Sequence, residues 1–256
     1  MKAPLIHLKS IDSTNKELRR RLTLTSLADG TALLADFQTK GRGRLKRVWE
    51  SEPGSNMLCS FWCTLDLPPD QVCGFSLLPA LAVLDYLDTL PLRASCKWPN
   101  DIRWNGRKLC GILTECIPAR SEEKIRGAII GIGLNLQKAP ALPDMPSPPV
   151  SLREILLRDI SCEEAATNIQ EKLLGRKQLW LSGRREEQLH EWITRCDHVN
   201  IPTRITVNGN KVTGVMRGLG RNGQLLLELE GRVQEVWADD VIPLDAASHS
   251  SVLSAL

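Results

Sequence analysis

The sequence predicts an α+β protein in which a sheet flanked by helices is followed by a small antiparallel β-barrel. Two observations predict this arrangement. Apolar strand-like runs alternate with helical segments as far as Cys196, and beyond it short β runs are broken by NGN, RNG and EG turns. The change predicts a domain at 1–197, a barrel of about five strands at 198–247 and a tail at 248–256.

The first half of the chain supplies most of the predicted strands. LIHLKSI (5–11) is a short strand, and the helix after it has Thr14 and Glu17 at capping-box spacing. GTALLADFQ (30–38) and the very apolar NMLCSFWCTL are strands, and residues 73–90 form a buried helix that its proline bends.

The next elements are marked by turn and cap signals. Asn105-Gly106 joins two strands as a tight hairpin, and a glycine-spaced strand follows it. The stretch 138–150 contains five prolines and is predicted to be an irregular loop. Ser151 and Ser161 each precede a glutamate by three residues, which predicts two helix starts, and a third helix follows them.

Composition excludes several classes of protein. The 256 residues are 42% apolar and 25% charged with a net charge of +3, too small an excess for a dedicated nucleic-acid binder. The start of the chain lacks a signal-peptide pattern, and we see no run of membrane-spanning length. Eight cysteines without a C-x-x-C pair, and only four histidines, favour no zinc site, no disulfides and a cytoplasmic location.

Four polar segments lie at predicted strand ends and turns, where sites are usually built. DSTN (12–15) has the residues of a helix cap and a turn, which could equally bind a polar ligand. TKGRGRLKRVW (39–49) combines flexible glycines with arginines suited to phosphate or carboxylate. A solvated basic loop and an RNA-binding segment are the alternatives, although such RNA segments are usually repetitive.

The other two segments are weak signals when taken alone. KWPND (97–101) fits a strand end and a turn, and Lys108 could be an exposed lysine of an edge strand. The glycines of GIGLN (131–135) could serve close backbone approach, and they lack the continuation of a dinucleotide-binding fingerprint.

Taken in order, the motifs resemble the biotin protein ligase family (biotin–[acetyl-CoA-carboxylase] ligases). The set is DSTN, GRGR-x-x-R-x-W, KWPND, K-L-x-G-I-L-x-E and GIGLN. The resemblance is motif-specific over about 5–137 and extends to about 245 through the helices and the terminal barrel. It implies a mixed central sheet flanked by helices, of the class II aminoacyl-tRNA synthetase/biotin ligase-like type, and a small C-terminal SH3-like β-barrel.

The resemblance also implies an activity. ATP and biotin would form biotinoyl-5′-AMP with release of pyrophosphate, and a lysine of a carboxylase's biotin carboxyl-carrier domain would then displace AMP. ATP and biotin are thus the expected substrates, with Mg²⁺ on the phosphates. A lipoate or octanoate ligase of the same fold, or a non-catalytic biotin-binding module, is the alternative.

The positions that match the family's motifs fall into four groups. The expected catalytic residues are Lys108 and Arg44. The expected biotin-binding residues are Ser13, Thr14, Asn15, Gln38, Arg42, Gly43, Arg44, Lys108, Gly111 and Ile112. The expected adenylate-binding residues are Gly41, Trp49, Asn100 and Asn135, and Asp101 is the candidate metal ligand.

Two departures from the family pattern bear on function. The family's loop commonly reads G-R-G-R-x-G-R, whereas this chain has Lys46 at the third glycine. The DSTN motif begins at residue 12, which leaves no room for the N-terminal helix-turn-helix domain of the family's repressors, so we expect no DNA binding. Because we see no run of membrane-spanning length, we also expect no membrane partner. A monomer and a homodimer are both compatible with the sequence.

Overall fold

The computed structural model describes residues 3–121, 123–141, 147–207, 209–237 and 240–244, and these form two β-sheets and six α-helices. The strands are β1 (Leu5–Ile11), β2 (Ala32–Gln38), β3 (Asn56–Leu67), β4 (Ser95–Lys97), β5 (Asp101–Trp104), β6 (Arg107–Pro118), β7 (Ile125–Asn135), β8 (Pro202–Val207), β9 (Asn210–Leu219), β10 (Leu225–Leu229), β11 (Arg232–Val236) and β12 (Asp240–Pro243). The helices are α1 (Thr14–Leu24), α2 (Pro69–Val72), α3 (Leu78–Thr89), α4 (Leu152–Leu156), α5 (Cys162–Leu181) and α6 (Arg185–Thr194). The predicted tail, and the middle of the proline-rich loop at 142–146, lie outside the described residues.

The first sheet has seven strands in the order β1-β2-β3-β7-β6-β5-β4. β1 and β2 run parallel, and every other neighbouring pair is antiparallel. The expectation of a mixed central sheet with helices is therefore confirmed. The strand β3 is central and buried on both faces over its first eight residues, as its unbroken apolar run indicates.

Helices cover both faces of this sheet, because side chains alternate between the faces along each strand. Trp62 of β3 packs with Leu18 and Leu22 of α1 in a small apolar cluster. Its neighbours Phe61 and Cys63 point the other way, into the main core that α3 and α5 also line. The start of α1 therefore lies over the face of the sheet to which Trp62 points.

Most local signals are confirmed. The hydroxyls of Ser151 and Ser161 accept hydrogen bonds from the third residue of α4 and α5. Asn105 and Gly106 both have positive φ (+47° and +76°), as a type I′ hairpin turn requires. One expectation is wrong: Pro79 does not bend α3 but lies in its first turn, where a missing N–H costs nothing.

One apolar segment was underestimated. Residues 69–89 form a helical segment that is long and apolar enough to cross a membrane by length and composition. The expectation that no run reaches membrane-spanning length is therefore wrong for this segment. In the folded protein 72% of the 18-residue apolar stretch within this segment is buried, and the segment packs against α5 and the first sheet. Its apolar character therefore matches its position in the core.

The second sheet contains the five C-terminal strands in the order β11-β10-β9-β8-β12, all antiparallel. Buried residues such as Met216 and Leu227 join the main core, and the Trp98 indole N–H donates to the carbonyl of Gly223 (3.0 Å). Among the described residues no pairing joins β11 to β12, so closure into an SH3-like barrel is not confirmed. The division of the chain into domains at 197/198 stays a prediction.

Candidate active site

A cavity of about 140 Å³ lies over one face of the first sheet, beside the start of α1. Its walls come from the start of α1, the end of β2, the loop at 39–49 (hereafter the arginine loop), the β4–β5 connection, β6 and β7. The predicted site residues that line it are Ser13, Thr14, Asn15, Gln38, Arg42, Gly43, Arg44, Trp49, Asn100, Asp101, Lys108, Gly111 and Ile112. Four separate sequence motifs therefore meet at one place.

Two predicted residues lie outside this lining. Gly41 lies in the wall of an adjoining groove. Asn135, at the end of β7, is buried: its amide donates to the carbonyl of Val150 (3.1 Å), whereas its Oδ1 has no partner. Contact of either residue with a nucleotide stays a prediction.

A chain of uncharged hydrogen bonds forms one end of the cavity. The backbone N–H of Thr14 donates to Oε1 of Gln38 (2.7 Å), as does the Thr14 hydroxyl (3.1 Å). The buried hydroxyl of Ser60 contacts Oγ1 of Thr14 (2.7 Å) and Oδ1 of Asn15 (2.5 Å). Ser60 was missed, and its signal was a hydroxyl within the buried, apolar part of β3.

The capping-box interpretation of Thr14 is wrong. Ser13 is the N-cap of α1, and its side chain makes no capping hydrogen bond. Thr14 bonds to Gln38 instead.

Glu115 of β6 connects this polar end to the arginine loop. Its carboxylate accepts a hydrogen bond from Nδ2 of Asn15 (2.8 Å) and forms an ion pair with Arg42 (3.2 Å). Arg19 of α1 approaches the same carboxylate at 3.6 Å. Glu115 is part of the K-L-x-G-I-L-x-E pattern, but the motif alone did not point to a role for its side chain. It fixes the position of Arg42 relative to α1.

Cationic side chains form the other end. Lys108 lies two residues after the Asn-Gly turn, and its Nζ is 2.8 Å from Oδ1 of Asp101. Arg44 reaches Oδ1 of Asn100 at 3.5 Å, and the Asn100 amide donates to the carbonyl of Ile112 (2.8 Å). Among the described residues that line the cavity, Asp101 is the only carboxylate. Since it is paired with Lys108, it is a poor candidate for a metal ligand.

The arginine loop is folded as a short hairpin over the cavity. The N–H of Gly43 donates to the carbonyl of Arg47 (2.8 Å), and that of Trp49 to the carbonyl of Gly41 (3.2 Å). A Cβ on Gly41 would lie 2.3 Å from the carbonyl oxygen of Trp49, so this position requires glycine. At the hairpin tip, Leu45 and Lys46 both have positive φ (+55° and +61°). A left-handed conformation explains the family's glycine at the position of Lys46.

Replacing Lys46 with glycine is expected to stabilise this hairpin. A left-handed non-glycine residue costs about 1–2 kcal/mol, part of which the flexibility of glycine offsets. The free energy of opening the hairpin should therefore rise by about 0.5–1 kcal/mol. Amide hydrogen exchange at Gly43 and Arg47, whose N–H groups close the hairpin, should then slow by about 2- to 5-fold. The control variant Lys46→Ala removes the charge but keeps the Cβ. Equal protection of the amides in Lys46→Gly and Lys46→Ala would show that the slower exchange does not come from relief of backbone strain at residue 46.

Three glycines form the floor of the cavity, and Trp49 lies on it. A Cβ on Gly111 or Gly133 would come within 2.6 Å or 2.4 Å of the Trp49 ring, and one on Gly131 within 2.4 Å of Oδ1 of Asn15. The buried indole N–H of Trp49 has no partner, and Nζ of Lys108 is 5.5 Å from the ring centroid. Trp49 thus fills part of the cavity, which explains its small volume.

A second polar cluster lies away from the cavity. Cys196, Asp197 and His198 are close enough together to hold a metal ion. However, Asp197 is already bonded by the guanidinium of Arg103 (2.5 and 2.7 Å) and by the hydroxyl of Ser95 (2.9 Å), and a cation there would meet that positive charge. We interpret the cluster as an ion-pair network that ties β4 and β5 to the segment before β8.

Comparison with known proteins identifies the family. A biotin–[acetyl-CoA-carboxylase] ligase of Mycobacterium tuberculosis is 30% identical over 240 residues, 91% of this chain and 86% of that protein. The bifunctional ligase/repressor BirA of Bacillus spizizenii is 39% identical over 142 residues, 55% of this chain, and the chain spans less than half (43%) of that relative's length. A biotin protein ligase from Aquifex aeolicus, solved in complex with biotin and ATP, superposes with a TM-score of 0.78 at 26% identity and covers 94% of this chain and 99% of its own.

The same conclusion follows from the sequence profile of a protein family. The profile of the biotin/lipoate A/B protein ligase family matches residues 7–135, which include every predicted site residue. The chain belongs to the biotin/lipoate A/B protein ligase family.

Proposed function

We propose that this protein is an ATP-dependent ligase that activates biotin as biotinoyl-5′-AMP and transfers it to a lysine of a biotin carrier protein. The observation that carries the proposal is the single cavity with an uncharged hydrogen-bonding end and a cationic end. The names of the Mycobacterium and Aquifex proteins, and the biotin and ATP bound to the latter, support the same assignment. The need for ATP favours a cytoplasmic location.

The uncharged end suits the ureido ring of biotin, which offers two N–H donors and one carbonyl acceptor. Ser13, Thr14 and Gln38 lie there, and the hydroxyl and amide groups of the last two can both donate and accept. Asn15 is held in place by Ser60 and Glu115. A few well-placed polar groups on an otherwise apolar wall are typical of a site for such a ligand.

The cationic end suits the carboxylate of biotin and the phosphates of ATP. Gly111 and Ile112 would lie along the valeryl chain, with Lys108 at the carboxylate and Arg42, Gly43 and Arg44 above the α-phosphate. In the first step a carboxylate oxygen attacks the α-phosphorus, the bond to the bridging oxygen breaks, and pyrophosphate leaves with the electron pair. Fixed positive charge offsets the repulsion between the two anions and stabilises the charge that develops.

The nucleotide would be held by Gly41, Trp49, Asn100 and Asn135. Because the cavity, at about 140 Å³, is smaller than the ~300 Å³ of typical ligand pockets, we infer that Trp49 leaves the glycine floor when ligands enter and then covers them. Mg²⁺ is expected to arrive on the triphosphate of ATP. The ion pair of Asp101 with Lys108 does not favour a metal at that carboxylate, so no step is assigned to the ion.

In the second step the neutral amine of the carrier lysine attacks the acyl carbon. A C–N bond forms, the C–O bond to the phosphate breaks, AMP leaves with the electron pair, and the nitrogen loses a proton. Shielding of the adenylate from water by the arginine loop would favour the amine over hydrolysis.

Exchange of labelled pyrophosphate into ATP tests the substrate, with biotin, lipoate and octanoate supplied separately. We expect exchange with biotin alone, because lipoate and octanoate have no ureido group to satisfy the polar end. The matched variant Gln38→Leu should weaken exchange with biotin by about 10-fold or more, since it leaves buried polar groups unpaired. Exchange with lipoate but not biotin would overturn the proposal, and exchange with none of the acids would favour a binding module.

A further inference from the structure

A wide groove opens directly outside the cavity. It has a volume of about 1000 Å³, against about 140 Å³ for the cavity, and the two share a wall. The shared wall is made by Arg42–Leu45, Arg47, Val48, Trp98–Asn100 and the strand residues Ile112 and Leu113. A molecule in this groove, which we call the outer groove, therefore lies beside any ligand that the cavity holds.

The outer groove is strongly basic. None of the described residues that line it is acidic. Six of them are lysine or arginine, namely Lys16, Lys40, Arg42, Arg44, Lys46 and Arg47. Three of these cations (Lys16, Lys40 and Lys46) line the groove but not the cavity. The positive charge thus extends well beyond the place where a carboxylate and an α-phosphate would meet, although the whole chain has a net charge of only +3.

Trp237, immediately after β11, also lines the groove. Its side chain comes from the C-terminal sheet, and 62% of its surface is exposed. Leu45 and Val48 of the arginine loop line the same groove and are 50% and 70% exposed. Tryptophan and arginine are the residue types enriched at protein-binding surfaces, and the groove contains Trp237 together with Arg42, Arg44 and Arg47.

We propose that the outer groove docks the acidic polypeptide surface around the acceptor lysine of the carrier domain. The inference rests on the proposed function, because the amine must reach an acyl-adenylate held in the cavity. Charge complementarity selects an acidic partner. The size of the groove favours a macromolecule, since small ligands are held in enclosed pockets that bury most of their surface. Trp237 would pack against the carrier, and Lys40 would pair with its carboxylates.

Variants of Lys40 and Trp237 separate docking from chemistry. Lys40→Glu and Trp237→Ala are compared with Lys211→Glu, a charge reversal at an exposed lysine of β9 that is not among the residues lining the groove. Three reactions are measured: pyrophosphate exchange with biotin, transfer of biotin to hydroxylamine, and transfer to an apo biotin carrier domain of an acetyl-CoA carboxylase. Exchange tests the proposed function, and hydroxylamine is too small to need docking.

We expect Lys40→Glu and Trp237→Ala to raise KM for the carrier domain by about 10- to 30-fold and to leave exchange and hydroxylamine transfer unchanged. Lys211→Glu should change none of the three. Carrier variants with the acidic residues beside the acceptor lysine neutralised should show a smaller effect of Lys40→Glu. An unchanged KM for the carrier would overturn the inference. A raised KM for ATP in the exchange reaction would overturn it too, because the groove would then belong to the nucleotide.

Discussion

Replacing Lys108 with alanine is expected to lower the rate of biotinoyl-adenylate formation by ~100- to 1000-fold, the usual effect of removing one preorganised charge from a developing oxyanion. Its ammonium group lies at the cationic end of the cavity, 2.8 Å from Asp101 and beside Gly111, where the proposal places the carboxylate of biotin. Pyrophosphate exchange measures this step without a carrier. The effect should appear mainly in kcat, because the charge acts when the new anion forms.

The matched control is Arg107→Ala, which removes the neighbouring cation of β6. Arg107 pairs with Glu154 and with carbonyls of the proline-rich loop rather than with the cavity. Normal exchange by Lys108→Ala would show that Lys108 is only an exposed lysine of the hairpin. Thermal unfolding of Lys108→Ala and Arg107→Ala is measured alongside, because a loss of activity can be assigned to chemistry only if the variant is still folded.

Replacing Arg103 with methionine is expected to lower the free energy of unfolding at pH 7 by about 3 kcal/mol, because it leaves the carboxylate of Asp197 without its main partner. Both side chains are largely buried, at 12% and 21% exposure, and two hydrogen bonds join them. Urea titration measures the effect. The double variant with Asp197→Leu should recover much of the loss, since no unpaired charge then remains.

The same ion pair sets a pH dependence. Burial alone would raise the pKa of Asp197, but hydrogen bonds from His198 and Arg103 lower it from 3.8 to about 2. A carboxyl with a lowered pKa in the folded state stabilises the protein above pH 3.8, and this contribution is lost as the pH falls toward 2. Arg103→Met should raise that pKa and move the loss of stability to higher pH. Identical acid unfolding of the wild type and Arg103→Met would show that Arg103 does not lower the pKa of Asp197.

Much of the fold could be predicted because local signals and burial agree. The serine caps of α4 and α5 and the Asn105-Gly106 turn are set by neighbouring residues alone, and the structure confirms them. Pro79 was misjudged because a proline in the first turn and one in the interior look alike until the helix start is known. Closure of the terminal strands depends on pairing between distant segments, which turn spacing does not determine.

The site could be predicted as far as its motifs reach. Residues of DSTN, the arginine loop and KWPND line one cavity together with Lys108, whereas Gly41 and Asn135 lie outside it. Ser60 and Glu115 were missed because their importance comes from contacts across the sheet, with Asn15 as the common partner. The motif alone did not show why the family has a glycine where this chain has Lys46. In the structure this residue has a left-handed conformation at the tip of a hairpin, which glycine adopts without strain.

We expect the reaction to follow a fixed order, in which an acyl-adenylate is formed first and transferred afterwards. A single-turnover experiment tests it directly: the protein is incubated with labelled biotin and ATP, freed of unbound ATP by rapid gel filtration, and mixed with an apo biotin carrier domain. We expect the label to remain with the protein and to move to the carrier lysine without further ATP. Transfer that requires fresh ATP, or a protein that retains no label, would rule out an adenylate that forms before transfer.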